Sequence, residues 1–295
     1  AENLLPGIRH EAITYFADRK IPWHDGIAGG PSNHLCCSQS AAVNTWFGFR
    51  NAPAALASAL RGLGWPVAEM LPFVLDDLVA GSRVTTANPS PSAYLAFEWI
   101  GARNYLLETS RGKVAADANR SRGQGFTSAD FAFRFRRTDG KVQIVLGEWK
   151  YTELYASGAD KRYSDSGTDR AQIYRPHVAE SQLRLGDLDI ADLMFDPFDQ
   201  LMRLQLLASA MERAHEMEAD IVSVLHVAPR ANMQLATTIT APKLVGRGKT
   251  IHAAWAALVQ PERFIGVYAE TLLAAMLPFA PDANWVAGMV SRYAW

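Results

Sequence analysis

The 295-residue sequence holds only two cysteines, Cys36 and Cys37, and they are neighbours. A disulfide framework needs spaced pairs, because adjacent cysteines bridge each other only with strain. Reduced thiols and a cytoplasmic setting are the expectation. No run of 18 apolar residues occurs, which excludes a membrane-spanning helix. The first 25 residues carry Glu2, Arg9, His10, Glu11, Asp18, Arg19 and Lys20 with no apolar core between them, which argues against a secretion signal. The sequence lacks a Gly-x-Ser-x-Gly nucleophile elbow. His24, His34, Cys36 and Cys37 lack the paired spacing of a zinc site. Gly248-Lys249-Thr250 lacks the earlier glycine of a phosphate loop, since Lys243 stands in its place.

Net charge is also nearly absent, at −1, but it is unevenly spread. Residues 101–184 hold 15 Lys and Arg against 10 Asp and Glu, while both flanking segments are net acidic. The middle third is therefore where a polyanion would be met. Apolar residues make up 49% of the chain and charged residues 20%, which suits a folded protein with a sizeable core.

Periodicity divides the chain. Residues 1–37 read as irregular, with turns at Pro6-Gly7, Asp25-Gly26 and Gly29-Gly30-Pro31. Ser38 is placed to cap a helix to about Phe47, and Asn51 a second one with Pro53 in its first turn. Residues 67–80 read as a third helix, kinked at Pro72. A helical region over 1–90 thus precedes a core over 91–295, the two forming one compact unit. From Tyr94 the period becomes two, with Leu95, Phe97 and Trp99 on one side of a strand. A second strand carries Phe131, Phe133 and Phe135, turns at Asp139-Gly140, and returns over 142–151. Residues 156–190 form a polar excursion. A helix follows over 197–217, with Asp196 as its cap, and then an apolar strand over 219–227. Tight hairpin strands among helices predict an α/β (α+β) protein with a mixed sheet.

The chemistry centres on Asp130 and Glu148-Trp149-Lys150. An acid two residues before a lysine is common, and the chain has two others, at Asp18-Arg19-Lys20 and Asp139-Gly140-Lys141. Only Glu148 follows an apolar strand. Strand residues two apart share a face, so Glu148 and Lys150 project together and Trp149 faces away. Asp130 lies on the partner strand. Two carboxylates beside an amine suit a hard cation such as Mg²⁺, which would polarise a phosphoryl oxygen and lower the pKa of a bound water. A surface ion pair is the plainer alternative.

Asp130, 17 intervening residues and Glu148-x-Lys150 at a strand end resemble the PD-(D/E)XK nuclease superfamily. Thr127-Ser128-Ala129-Asp130, residues 145–153 and residues 200–208 resemble a bacterial restriction-endonuclease-like branch of it, and Ser38-Gln39-Ser40 and Val227-Ala228-Pro229 fit as well. The resemblance spans residues 34–268 and is most specific over 127–153. It departs in one place: Ala129 stands where the superfamily usually has proline.

This resemblance implies an αβββαβ core and a metal-dependent endonuclease acting on DNA, with RNA left open, in restriction or repair. Asp130 and Glu148 would hold Mg²⁺, or Mn²⁺ in its place, and Lys150 would be the catalytic lysine. A further acid often joins from an earlier element: Glu98 leads, with Glu108 and Glu69 behind it. Gln200 is a candidate site residue on the later helix. Arg111, Lys113, Arg120, Arg122 and Arg203 are the candidate DNA contacts, making binding salt-dependent. Cutting two strands commonly takes two sites, so a homodimer is an expectation. The competing reading is a nuclease fold without catalysis, serving as a nucleic-acid-binding or assembly module. A sugar hydrolase is disfavoured, because Lys150 would lower the pKa that a general acid needs raised.

Overall fold

The computed structural model of the chain describes residues 2–76, 93–110, 112–123, 125–155, 160–164 and 167–293. Its six-stranded mixed sheet is built from β1 (Val67–Leu71), β2 (Leu95–Trp99), β5 (Ala129–Arg137), β6 (Val142–Trp149), β7 (Ile221–Ala228) and β8 (Phe264–Tyr268). A separate two-residue hairpin joins β3 (Thr109–Ser110) to β4 (Lys113–Val114). β5 takes β1 and β2 end to end along one edge, both antiparallel, and β6 along the other. β7 and β8 then add in parallel. The α/β architecture with a mixed sheet is as expected. So is the order of its centre: β2, the β5–β6 hairpin, a long helix, then β7.

The helices are α1 (Arg9–Asp18), α2 (Ser38–Trp46), α3 (Pro53–Gly62), α4 (Ala171–Tyr174), α5 (Phe198–Arg213), α6 (Met233–Thr237), α7 (Ile251–Ala256), α8 (Ala269–Met276) and α9 (Ala283–Arg292). No helix among the described residues is long and apolar enough to cross a membrane. Strand alternation sends Phe131, Phe133 and Phe135 to one face, where they pack with α1, α2, α3, α8 and α9. The opposite face presents Ala132, Ile144, Leu146, Val222 and Val224 to α5 and α7. β6 is buried along its whole length, which is why its sequence is a near-continuous apolar run. Gly147 on β6 is required by packing: a Cβ there would lie 2.1 Å from the Phe131 ring.

Several local readings are corrected. Residues 9–18 are helical, so Asp18-Arg19-Lys20 sits at a helix end rather than in an irregular segment. Val67–Leu71 is a strand, not the start of a helix, and the sheet therefore begins inside the region read as helical. A bulge between Val67 and Glu69 puts the buried Val67 and Met70 three residues apart, which imitates a helical period. Residues 72–76 of that expected helix are not helical either, and residues 77–80 lie outside the described residues. Helices α2, α3 and α5 stand where expected, but Cys37, Ala52 and Pro197 occupy their cap positions and none has a side-chain cap bond. Asp196 instead pairs with Lys161 at 3.0 Å.

Candidate active site

The register assembles the site. Phe97↔Phe131 and Trp99↔Ala129 flank Glu98 and Asp130, placing these two acids opposite each other. Phe131↔Gly147 is the last pair of the hairpin, and one step further sets Asp130 across from Glu148. Glu148 in turn is paired with His226 on β7. Glu98, Asp130, Glu148 and His226 thus occupy one row of register positions across four strands.

Glu98, Glu148 and Lys150 are buried and Asp130 is partly so. Lys150 Nζ lies 2.7 Å from Glu148 Oε1. The Trp149 N–H donates to Asp130 Oδ2 at 2.6 Å. Glu98 has a left-handed φ of +50°, rare for a residue with a side chain and costing roughly 1–3 kcal/mol. Two bonds hold it there. Gln39 Nε2 at the start of α2 donates to Oε1 at 2.8 Å, and Ser128 Oγ donates to Oε2 at 2.8 Å.

The charges act on one another. Burial pushes the Asp130 carboxyl well above the ordinary value of 3.8, and the Glu148 and Glu98 charges push it further. Burial also raises Glu98; the Gln39 and Ser128 bonds oppose this, and the Glu148 charge adds to it. Burial works against the Lys150 charge, but Glu148, followed by Tyr155, Glu153 and Asp130, holds its pKa well above the usual range. Lys150 is therefore an ammonium at neutral pH.

A carboxyl with a raised folded-state pKa costs stability progressively as pH rises from its unfolded to its folded value, and the penalty vanishes below the unfolded value. Asp130→Asn keeps an oxygen for the Trp149 N–H and removes the charge. It is expected to raise the unfolding midpoint at neutral pH without divalent cations. The gain should shrink as pH falls toward 3.8, where wild-type Asp130 is also neutral. Denaturant unfolding across pH checks this.

The other acids stand apart from the row. Glu108 is closed off by the Thr127 N–H (2.9 Å), the Thr127 hydroxyl (2.6 Å) and the Tyr174 hydroxyl (3.0 Å). Glu69 is exposed and paired with Arg136. Gln200 makes no hydrogen bond to the row, and its Oε1 is buried without a donor among the described residues. Arg203, one turn later on α5, pairs with Asp199 at 3.3 Å and donates to Thr127 Oγ1 at 3.4 Å. Gln205 is a core residue, bonded to Gln182 and the Arg263 carbonyl.

The basic segment takes a different role from the one its composition suggests. Arg120 is buried and donates to the Ile100 and Gly101 carbonyls, both at 2.8 Å. Arg122 is buried against Asp76 (3.0 Å), Tyr15 (3.1 Å) and the Phe97 and Glu98 carbonyls. Neither guanidinium is presented to a phosphate, which corrects their reading as DNA contacts. Lys113 is exposed on β4, and Arg111 lies outside the described residues.

Sequence reasoning left Gln39, Ser128 and His226 without site roles. Gln39 and Ser128 stand in stretches with family resemblance, but only the structure shows both on Glu98. The Nδ1 of His226 meets His252 Nε2 at 2.9 Å, and its buried Nε2 has no partner among the described residues.

The donor set suits a hard divalent cation. Its side-chain oxygens repel one another, and Asp130 keeps one oxygen not used by Trp149. Among the described residues, no group of three or more His, Cys, Asp and Glu side chains is placed to hold a metal ion together. Magnesium commonly uses one or two carboxylates and keeps waters for substrate oxygens.

The chain belongs to the family described as Restriction Endonuclease associating with ARP, whose model matches residues 1–294. This bears out the restriction-endonuclease resemblance and extends it over both ends of the chain. No match is found among curated proteins or solved structures.

Proposed function

We propose that this chain is a metal-dependent endonuclease of the PD-(D/E)XK type that hydrolyses DNA phosphodiester bonds. The observation that carries the reading is the single register row that Glu98, Asp130 and Glu148 occupy on three neighbouring strands, with the Lys150 ammonium 2.7 Å from Glu148. The family description supports a nuclease. Asp130 and Glu148 would hold Mg²⁺ or Mn²⁺. The cation, when bound, would polarise a phosphoryl oxygen and acidify a water. Lys150 orients the attacking water and offsets negative charge gathering on the phosphate. Glu148 keeps that lysine protonated. Gln39 and Ser128 position Glu98, and the Trp149 N–H fixes the Asp130 carboxylate. Arg203 and Lys113 are the remaining described cations for backbone phosphates, and a homodimer would supply the second cut.

The test is cleavage of supercoiled plasmid and mixed genomic DNA with Mg²⁺ or Mn²⁺. Cleavage is expected to disappear with a chelator and in Asp130→Ala and Glu148→Ala, each shown to be folded by circular dichroism. Full activity in both variants overturns the site. A second reading draws on the word "associating" in the family description and on the Glu148–Lys150 pair, which satisfies itself without a cation. It is an assembly or nucleic-acid-binding module, and it predicts salt-sensitive, metal-independent DNA binding with no cleavage.

A further inference from the structure

Beside the acid row lies a cleft of about 510 Å³. Its lining includes Glu108, Phe126, Arg170, Ile173, Tyr174 and Arg203. That volume falls within the roughly 300–1,000 Å³ typical of small-molecule sites, and a duplex is too wide to enter such a space. Hydrogen bonds join the cleft to the row. Arg203 donates to Thr127 Oγ1, and the next residue, Ser128, donates to Glu98. Glu148 is also among the charges that act on Arg203.

The two cations of the cleft are held but not used up. Arg170 and Arg203 share one oxygen of the buried Asp199, at 3.4 and 3.3 Å. Asp199 is divided between the two guanidiniums, so neither has that carboxylate to itself. Arg203 commits Nε to Asp199 and Nη1 to Thr127, and its Nη2 has no acceptor among the described residues. Glu108, the acid of the lining, is turned toward three neutral donors, the Thr127 N–H and the Thr127 and Tyr174 hydroxyls, although its charge also acts on Arg203. Guanidinium donors match phosphate geometry. Phe126 and Ile173 supply apolar surface of the kind on which a base stacks.

Resting on the nuclease reading above, we infer that this cleft receives one unstacked nucleotide of the DNA strand next to the bond being cut. Arg170 and Arg203 take its phosphate, and the base lies on Phe126 and Ile173. Enzymes that engage a single base remove it from the helical stack into a pocket of this kind.

Calorimetric titration of the full chain with deoxyadenosine 5′-monophosphate, without divalent cation, tests the inference. Deoxyadenosine and inorganic phosphate serve as comparison probes, and both should bind about tenfold or more weaker than the nucleotide. Arg170→Gln removes a cation, while Ile173→Trp fills the cleft and leaves both arginines and the acid row unsubstituted. Each should weaken the nucleotide by about tenfold or more. Plasmid cleavage by the wild type is measured in parallel. Cleavage together with nucleotide binding lost in both variants supports the cleft. Cleavage with no saturable nucleotide binding, or with binding that both variants retain, overturns the cleft and leaves the nuclease reading standing. Nucleotide binding sensitive to both variants but without DNA cleavage overturns the nuclease reading, and with it the placing of this nucleotide beside a cut bond.

Discussion

Lys150→Ala is expected to lower the single-turnover rate of metal-dependent DNA cleavage by about 10²–10³-fold, the usual effect of removing one donor aimed at developing charge. The loss should fall on the rate constant rather than on DNA affinity, because Lys150 is buried beside Glu148 and is not part of an exposed binding surface. Lys150→Arg should not restore the rate. A guanidinium is planar and larger, and it cannot replace a compact ammonium held 2.7 Å from its carboxylate. The alanine variant also leaves Glu148 beside Asp130 and Glu98 without its cation. Its unfolding midpoint should therefore fall at neutral pH in the absence of metal. Wild-type cleavage rates in Lys150→Ala would remove the lysine from the mechanism.

Arg122→Ala is expected to act on stability and not on DNA affinity. Its guanidinium is buried between Asp76, the Tyr15 hydroxyl and the Phe97 and Glu98 carbonyls. Removing one partner of a buried ion pair costs about 3–5 kcal/mol, since the other charge stays buried. Arg19 and Arg50 also reach Asp76, at 2.9 and 3.4 Å, which sets the expected loss toward the lower end. Arg122 holds the strand carrying Glu98, so cleavage should weaken as well. Denaturant unfolding measures the first effect. The salt dependence of DNA binding measures the second, and its slope should stay unchanged if Arg122 contacts no phosphate.

These two residues show what a linear reading can and cannot reach. Lys150 was identifiable because Glu148 and Lys150 are two apart at a strand end, and strand geometry alone puts them on one face. Arg122 was misread because a loop rich in Arg, Gly and Ser has the composition of a solvated, phosphate-seeking surface. Its burial depends on Asp76 and Tyr15, which are 46 and 107 residues away in sequence. Glu98 lay between these cases. It was the first of three acids considered, and the register separates it from Glu108 and Glu69 by placing it opposite Asp130.

By itself, the sequence determined whatever depends on local period and turn chemistry. That includes β2, the β5–β6 hairpin around Asp139-Gly140, helix α5, the strand β7 and the shared face of Glu148 and Lys150. Tertiary structure alone decided what depends on pairing between distant segments. It turned residues 67–71 into a bulged strand against β5. It lined up Glu98, Asp130, Glu148 and His226 in one row, and it brought Gln39 from α2 onto Glu98. The physical reason is that strand register is set by the burial of whole faces, here the phenylalanine face of β5 against the N- and C-terminal helices, and a slip of β5 by one residue would send its phenylalanines and Asp130 each to the wrong side.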